Sequence, residues 1–381
     1  MKYLRCFFYS ALKIDLNVTK YKQKRRYRST FTLMNFADEL VQWYQHNKRD
    51  LPWRNTSDAY VIWLSEIILQ QTRVEQGMPY FYRFVEKYPD VSSFAAADEG
   101  DILKLWQGLG YYSRGRNMLK TARLIQAQHN GQFPQSYEQL IKLKGIGEYT
   151  AAAIASFSAN EARAVVDGNV YRVLARYFGV DEPINSTKGK KMFQQMADDL
   201  LNRQQPGLHN QAMMEFGAML CKPKNPACGI CPVREGCFAF IHNATTALPV
   251  KINKVKVRQR FFNYFLITDG DNILLNKRGE NDIWANMYDM PMVETDALMP
   301  DNELYLLPQI SELFGEDARI AEISPVYRHI LTHQRLDVRF IKLTGTKVKL
   351  QQNWLFTSPE ELEKLALPKI IFIFIKNIFN L

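Results

Sequence analysis

The chain has 381 residues, enough for two domains of ordinary size, and 46% of them are apolar. No run of about 20 apolar residues is present, which excludes a membrane-spanning helix. The net charge of +10 would suit a nucleic-acid-binding protein, but residues 1–34 alone hold nine Lys or Arg and one acid. The remaining residues carry 40 basic and 38 acidic side chains, a net charge of only +2, so bulk charge does not identify a partner.

Residues 1–34 are interpreted as a basic extension of the folded protein. The stretch Lys20–Arg28 is rich in Lys and Arg and lacks apolar periodicity, as organellar targeting segments do. We favour the alternative of a misread start codon, because a helical apolar pattern begins immediately after Met34. The extension is therefore expected to be disordered or absent from the native protein.

Residues 35–243 are predicted to form an all-α domain, because their apolar residues recur mostly with helical spacing. Gly and Pro separate the helices, and Asp58 is placed to cap the first long one. The predicted helices are Ala59–Gln76, Tyr80–Lys87, Asp101–Gln107, Asn117–His129, Tyr137–Leu143, Tyr149–Ser156, Val170–Tyr177, Lys188–Leu200 and His209–Leu220.

Residues 244–257 are predicted to be a linker, and after them the apolar period changes from helical spacing to two. Residues 258–381 are accordingly predicted to form an α+β domain. The predicted strands are Phe261–Thr268, Asn272–Asn276 and Val338–Leu343, and the predicted helices are Leu304–Leu313 and Pro359–Leu365. The apolar stretch Ile370–Phe379 fits either a core strand or a core helix.

Four of the five cysteines, Cys221, Cys228, Cys231 and Cys237, lie within 17 residues, with six, two and five residues between them. A single cluster in a long chain indicates a metal and a reducing compartment rather than a disulfide framework. Four soft thiolates suit a tetrahedral zinc ion or an iron–sulfur cluster. Zinc sites usually contain two short Cys-x-x-Cys pairs and only one is present, but the spacing alone leaves both metals open.

The segment Leu143–Thr150 contains Gly145 and Gly147, separated by an apolar residue between two predicted helices. Such a turn, followed by the free N–H groups of a helix, is typical of a helix-hairpin-helix that holds a DNA phosphate. The pattern is weak by itself, since any connection between helices can use glycines.

Two acids stand out in the helical region, and each has a simpler structural interpretation. Glu66 lies between apolar blocks, where a raised pKa would suit a proton donor, although most helical Glu side chains are solvated. Asp167 precedes a predicted helix, where it or Asn169 is expected to act as a cap. Asp167 could instead stabilise a sugar cation, because a pair of carboxyl groups serves this chemistry in glycoside cleavage.

Several strings of residues 36–240 together resemble the helix-hairpin-helix DNA glycosylases with an iron–sulfur loop, and specifically the MutY branch, the adenine DNA glycosylases. The strings are Trp63-Leu64-Ser65-Glu66 with Leu69-Gln70-Gln71-Thr72, Leu109-Gly110-Tyr111-Tyr112, Asp167-Gly168-Asn169-Val170 and Asn210-Gln211-Ala212-Met213-Met214-Glu215. The resemblance implies a [4Fe–4S] cluster held by the four cysteines. It implies removal of adenine mispaired with 8-oxoguanine or guanine in double-stranded DNA, by a monomeric, cytoplasmic, nucleoid-associated enzyme that does not bind membranes.

The same resemblance implies roles for individual residues. Glu66 matches the acid that protonates adenine, Asp167 the carboxylate beside the sugar cation, and Asn169 its polar neighbour. Tyr149 occupies the hairpin position at which endonuclease III-type enzymes have a nucleophilic lysine, so no strand cleavage is expected. The substrate-contacting positions are implied to be Trp53, Arg54 and Glu215 at the adenine and Gln71 and Tyr111 in the duplex.

The C-terminal domain resembles the Nudix-like domain of the same branch, which recognises 8-oxoguanine. Leu331, Thr332 and His333 lie where that branch usually has Phe-Ser-His, and Thr can donate the same hydrogen bond as Ser whereas Leu cannot stack as Phe does. Three alternatives remain at this point: an endonuclease III-like glycosylase and lyase, a nucleotide pyrophosphohydrolase, and a non-catalytic DNA-binding protein. The second would need a helix carrying an Arg-Glu-x-x-Glu-Glu pattern, which residues 258–381 lack.

Overall fold

The computed structural model describes residues 30–252 and 257–379. The predicted basic extension lies mostly outside these residues, as does the segment 253–256 of the predicted linker. The first described helix begins at Thr30, before Met34.

The described part of the first domain is helical, which confirms the predicted fold class. Its helices, α1 to α12 in chain order, are Thr30–Asn47, Ala59–Ile68, Val74–Lys87, Val91–Ala95, Glu99–Leu105, Ser113–His129, Tyr137–Leu140, Glu148–Ala159, Gly168–Phe178, Thr187–Leu200, Pro206–Met219 and Phe238–Ile241. The predicted cap is confirmed, since Asp58 Oδ1 accepts a hydrogen bond from Tyr60 N at 2.8 Å. The short helices α4 and α12 were not predicted.

One predicted helix in this domain is wrong in its extent. The pattern Ala59–Gln76 predicts a single helix, but α2 ends at Ile68 and α3 begins at Val74. The break contains Gln71 at φ 56°, a left-handed conformation that the interior of a right-handed helix cannot contain. The apolar spacing continues across the break and therefore conceals it.

The second domain is α+β, as predicted. Its strands β1 to β9 are Arg258–Leu266, Thr268–Asp269, Asn272–Lys277, Tyr288–Asp289, Met292–Thr295, Arg319–Ile323, Tyr327–Ile330, Gln334–Thr344 and Trp354–Thr357. One sheet has the order β5-β1-β8-β6, with β7 also paired to β8, and β1 and β8 are parallel. The other sheet has the order β2-β3-β4, with β9 paired to β3.

The helices of this domain are α13 (Pro308–Phe314), α14 (Pro359–Leu362) and α15 (Lys369–Phe379). The predicted single helix Leu304–Leu313 is wrong: a 3₁₀ turn at Asp301–Leu306 precedes α13, because Pro308 fits the first turn of a helix and not its interior. The undecided apolar stretch is helical, and Phe374 of α15 stacks on Phe340 with 3.5 Å between ring centroids.

The two domains are in direct contact. Arg116 Nη1 donates to the carbonyl of Ala285 at 2.9 Å, and Asn286 Nδ2 donates to Glu99 Oε1 at 2.6 Å. These contacts join the segment between β3 and β4 to helices α5 and α6. Among the described helices, none combines the length and the apolar character needed to cross a membrane.

Candidate active site

Glu66 lies on α2 where that helix packs against α8. The hydroxyl of Tyr149, in the first turn of α8, donates a hydrogen bond to Glu66 Oε2 at 2.7 Å. Burial raises the pKa of Glu66 to about 7 and the charge of Asp167 adds to the increase, whereas Tyr149 and Arg54 oppose it. Glu66 can therefore carry a proton near neutral pH, and Oε1 is the oxygen left to hold it.

Tyr149 is the hydrogen-bond donor of this pair. Burial raises the pKa of Tyr149 well above its usual value, and the neighbouring charges of Glu66 and Asp167 raise it further. The side chain therefore remains a neutral phenol that orients Glu66. A phenol has no amine with which to form a Schiff base.

Asp167 is the N-cap of α9 and also a neighbour of Glu66, so its two interpretations are compatible. Its Oδ1 accepts hydrogen bonds from the backbone N–H groups of Asn169 and Val170, both at 2.8 Å, and its Oδ2 accepts from Asn169 Nδ2 at 2.6 Å. Burial raises the pKa of Asp167, and these three hydrogen bonds oppose the increase by favouring the carboxylate. The site thus contains one carboxyl group suited to hold a proton and a second whose three hydrogen bonds favour its carboxylate form.

Glu215, on α11, forms a buried ion pair with two arginines. Its Oε1 accepts from Arg49 N and Nε at 3.0 and 2.8 Å, and its Oε2 accepts from Arg49 Nη2 and Arg54 Nη2, both at 2.7 Å. Burial alone would raise the pKa of Glu215, but the hydrogen bonds from both arginines lower it to about 2. Glu215 is therefore ionised and rigidly held, and the charge of Arg54, which binds Glu215, also acts on Glu66.

Trp53 is buried in the core beside this ion pair. Its ring meets Phe81 edge-to-face with 5.0 Å between centroids. The structure brings Glu66, Tyr149, Asp167 and Arg54 together, whereas Trp53 supports the chain that carries Arg54.

The predicted helix-hairpin-helix turn connects α7 and α8. Gly145 has φ 93°, and a Cβ there would lie 3.2 Å from Thr121 Oγ1, which donates to the carbonyl of Lys144. Gly147 is the residue before α8, and a Cβ there would meet no heavy atom within 4 Å. The first N–H groups of α8 have no acceptor within the helix, so this open end of α8 suits an anion.

Gln71 and Tyr111 lie on neighbouring exposed loops, and both have a left-handed backbone, at φ 56° and 48°. A non-glycine residue in this conformation costs about 1–3 kcal/mol and persists only when its surroundings hold it. The two predicted duplex-contacting side chains are thus presented by constrained backbone, and not by flexible loop tips.

The β7–β8 turn brings the predicted C-terminal residues close to Tyr111. The hydroxyls of Tyr111 and Thr332 are in hydrogen-bonding contact, which joins the two domains at this point. Leu331 packs partly against the core, whereas Thr332 and His333 are exposed. The structure therefore places Thr332 beside a predicted DNA-contacting residue and leaves His333 on the rim.

The four clustered cysteines line one cavity at the end of α11. Within the described ranges, no three His, Cys, Asp or Glu side chains are close enough together to hold a single metal ion. Four thiolates are the donor set that a four-iron cluster requires, and the four cysteines share one cavity, so these residues fit such a cluster by their chemistry. Arg176 Nη1 reaches Cys221 Sγ at 3.4 Å and the carbonyl of Lys222 at 2.7 Å, and so holds the start of the loop.

A chain of hydrogen bonds joins this loop to Asp167. Arg172, also on α9, donates from Nε to the carbonyl of Cys221 at 2.7 Å and from Nη2 to Asn169 Oδ1 at 2.8 Å. Asn169 in turn binds Asp167 Oδ2. Side chains of one helix, α9, therefore hydrogen-bond both to the cysteine loop and to the neighbour of the candidate catalytic carboxylate.

Sequence reasoning missed Arg49, Arg172 and Arg114. Arg49 stands in the charged run before Leu51 and Arg172 within an ordinary amphipathic helix, so neither has a distinguishing pattern. Arg114 lies two residues after the string Leu109–Tyr112, and this proximity was the available signal.

Three family profiles match the chain. The profile of the HhH-GPD superfamily of base excision DNA repair proteins matches residues 64–201, and that of the iron–sulfur binding domain of endonuclease III matches residues 221–237. The NUDIX domain profile matches residues 263–377. The predictions of an iron–sulfur cofactor of the [4Fe–4S] kind and of a Nudix-like second domain are confirmed.

Whole-chain relatives agree with these profiles. The adenine DNA glycosylase of Buchnera aphidicola subsp. Baizongia pistaciae is 32% identical over 326 residues, which are 84% of this chain and 90% of that protein. The adenine DNA glycosylase of Buchnera aphidicola subsp. Acyrthosiphon pisum is 36% identical over 257 residues, 67% of this chain and 73% of that protein. A solved thermostable thymine-DNA glycosylase is 27% identical, with a TM-score of 0.52, over 55% of this chain and 97% of that one. Because similarity to adenine DNA glycosylases extends through both domains, the chain belongs to the adenine DNA glycosylase family.

Proposed function

We propose that this protein hydrolyses the N-glycosidic bond of adenine mispaired with 8-oxoguanine or guanine in double-stranded DNA, and leaves an abasic site without cutting the strand. The observation that carries the proposal is the partly buried contact of Glu66 with Tyr149 beside Asp167. It supplies a proton donor and a nearby carboxylate, and it has a phenol where a lyase needs an amine.

Glu66 and Asp167 divide the chemistry between them. Glu66 gives its proton to adenine as the bond between base and sugar breaks, so the base departs neutral and the sugar becomes an oxocarbenium-like cation. Asp167, ionised, stabilises that cation. Water then adds to the sugar carbon and returns a proton to Glu66, which restores the starting state.

Glu215 and Arg54 are proposed to recognise the base. An enzyme cannot reach the glycosidic bond of adenine inside a stacked duplex, so the nucleotide must leave the helix. Adenine carries an exocyclic amine that donates hydrogen bonds and ring nitrogens that accept them. The ionised Glu215 and the guanidinium of Arg54 offer the complementary acceptor and donor, and Trp53 supports them from the core.

Thr332 is proposed to read the base opposite the adenine. Its hydroxyl contacts that of Tyr111, so a guanine held next to Tyr111 lies within reach of both domains. Leu331 supports the turn by packing, and His333 lies at its edge. We propose that one chain suffices for this arrangement, because both halves of the site come from the same chain.

The four cysteine thiolates are proposed as the ligands of the [4Fe–4S] cluster. We expect Cys231→Ser to lower iron and sulfide content well below the four iron atoms of one cluster per chain, and to lower the melting temperature, because the loop folds around its metal. Iron analysis and thermal denaturation check this result, with Gly229→Ser in the same loop as the control, because a Cβ at Gly229 would meet no heavy atom within 4 Å. Full iron content in Cys231→Ser would remove this cysteine from the ligand set.

The rate of adenine release is expected to depend on pH through Glu66. The pKa of Glu66 is raised to about 7, and the protonated form is the active one, so the single-turnover rate falls as the pH rises through about 7. At low pH the rate also falls, as Asp167 becomes protonated. Single-turnover rates across this range check the profile, and a rate that does not decline above neutrality would contradict the acid role of Glu66.

A duplex assay tests the function as a whole. Duplexes with adenine opposite 8-oxoguanine, guanine or thymine are incubated with the intact protein, and each sample is divided before treatment with alkali. We expect free adenine from the first two duplexes and strand breaks only after alkali. Breaks without alkali would indicate a lyase, and binding without adenine release would indicate a non-catalytic protein.

A further inference from the structure

Arg114, near the start of α6, lies between the two loops that carry Gln71 and Tyr111. The first loop links α2 to α3, and the second links α5 to α6. No part of the mechanism above uses Arg114, yet its guanidinium is the point at which the two loops meet.

The guanidinium binds the backbone of both loops. Nη1 donates to the carbonyl oxygens of Ile67 at 2.8 Å and Gln70 at 2.6 Å. Nη2 donates to those of Leu109 at 3.4 Å and Gly110 at 3.2 Å. Burial lowers the pKa of Arg114 to about 10, which leaves it cationic at neutral pH and keeps these charge-assisted bonds in place.

Two of these carbonyls define the orientation of Gln71 and Tyr111. The carbonyl of Gln70 belongs to the peptide that joins it to Gln71, and the carbonyl of Gly110 belongs to the peptide that joins it to Tyr111. These are the two residues with left-handed backbone, at φ 56° and 48°. One side chain therefore fixes the peptide planes that lead into both of them.

Aromatic contacts support the same position. The Arg114 guanidinium carbon lies 5.0 Å from the centre of the Trp106 ring and 5.7 Å from that of Tyr111. Trp106 Nε1 donates to the carbonyl of Gly110 at 3.0 Å, so Arg114 and Trp106 hold one acceptor from two directions.

We propose that Arg114 is a positioning residue that couples the two loops, so that Gln71 and Tyr111 enter the duplex as one unit and the adenine is displaced in register with Glu66. The proposal rests on the proposed function, because it assigns Arg114 to the DNA-opening step of that reaction. Arg114 does not touch the base or the reacting atoms; it acts through the backbone of its two partners.

Arg123 provides the matched control. It lies on the same helix and also binds loop carbonyls, donating to Ala95 at 3.2 Å and Ala97 at 2.9 Å. It contacts neither the Gln71 loop nor the Tyr111 loop through these bonds. Loss of either arginine removes hydrogen bonds from a guanidinium to loop carbonyls. Only the carbonyls bound by Arg114 lead into the proposed duplex-contacting residues, Gln71 and Tyr111.

The test compares Arg114→Met, Arg114→Lys and Arg123→Met with the wild type. Two quantities are measured with the enzyme in saturating excess over the duplex. They are the single-turnover rate of adenine release and the fluorescence of an adenine analogue placed at the target position, which increases when the base unstacks. We expect Arg114→Met to reduce the rate about 10- to 100-fold, the cost of misplacing reactants by about 1 Å, and to reduce the fluorescence increase. Arg114→Lys should recover part of both, and Arg123→Met should change neither, although both methionine variants lower the melting temperature.

A double-mutant cycle separates positioning from general stability. In a Gln71→Ala/Tyr111→Ala background, Arg114→Met should cause little further loss, because the groups it positions are gone. A wild-type rate for Arg114→Met, or an undiminished effect in that background, would overturn the proposal. Absence of adenine release by the wild type would instead reject the proposed function, and the fluorescence of the analogue would still decide the role of Arg114.

Discussion

Glu66→Gln is expected to bind the mismatched duplex and to release almost no adenine. Glutamine preserves the size of the side chain and can still accept the hydrogen bond from Tyr149, but it has no acidic proton to give. Loss of a positioned general acid typically costs about 10²–10⁴-fold in rate. Because adenine is a poor leaving group without protonation, we expect a loss near the upper end of that range.

The measurement is single-turnover release at saturating enzyme, with duplex affinity measured in parallel. Glu86→Gln is the matched control, since Glu86 is an exposed glutamate on α3. Its rate and affinity should equal those of the wild type. A Glu66→Gln variant that retained the wild-type rate would reject the assignment of Glu66 as the acid and, with it, the mechanism proposed here.

Asp167→Asn is expected to reduce adenine release by about 10²–10³-fold, the usual effect of removing one preorganised electrostatic group from a transition state. The amide oxygen of Asn can still accept the hydrogen bonds from Asn169 N and Val170 N, since Asn caps helices about as well as Asp does. The variant therefore loses the negative charge and keeps most of the cap.

Asp58→Asn supplies a control of the same chemistry. Asp58 caps α2 through its bond to Tyr60 N, as Asp167 caps α9. Thermal denaturation should show small and similar changes for the two variants, whereas only Asp167→Asn loses activity. Equal activity in both would mean that Asp167 serves as a cap alone.

These expectations require Glu66 to be protonated while Asp167 is ionised. The amino-acid pattern could not establish this difference between the two acids. The pattern alone favours a solvated Glu66, because most helical Glu side chains are solvated. Whether a helical residue is buried depends on what packs against its helix, which the pattern does not record. The contact between α2 and α8, residues far apart in the chain, provides both the burial and the partner Tyr149.

The helical boundaries show the same dependence on distant contacts. Most of the predicted helices agree with the structure, because apolar spacing records the face that each helix buries. The break after Ile68 was missed, because it requires the left-handed Gln71 and the hydrogen bonds of Arg114 from another helix. For the predicted helix Leu304–Leu313, Pro308 was an available signal. A proline fits the first turn of a helix and not its interior, and α13 begins at Pro308.

Sequence alone was sufficient for the order of the two domains, the cofactor class and the family, because each is carried by local patterns: helical and strand periods, four closely spaced cysteines and several short strings. The assembly of the site required the tertiary structure. Arg49 and Arg54 meet Glu215 across more than 160 positions of chain, and Thr332 meets Tyr111 across 221. Charges, hydrogen bonds and dielectric act over a few ångströms of space, so the pKa of Glu66, the ionised state of Glu215 and the contact between the domains follow from packing that no local pattern records.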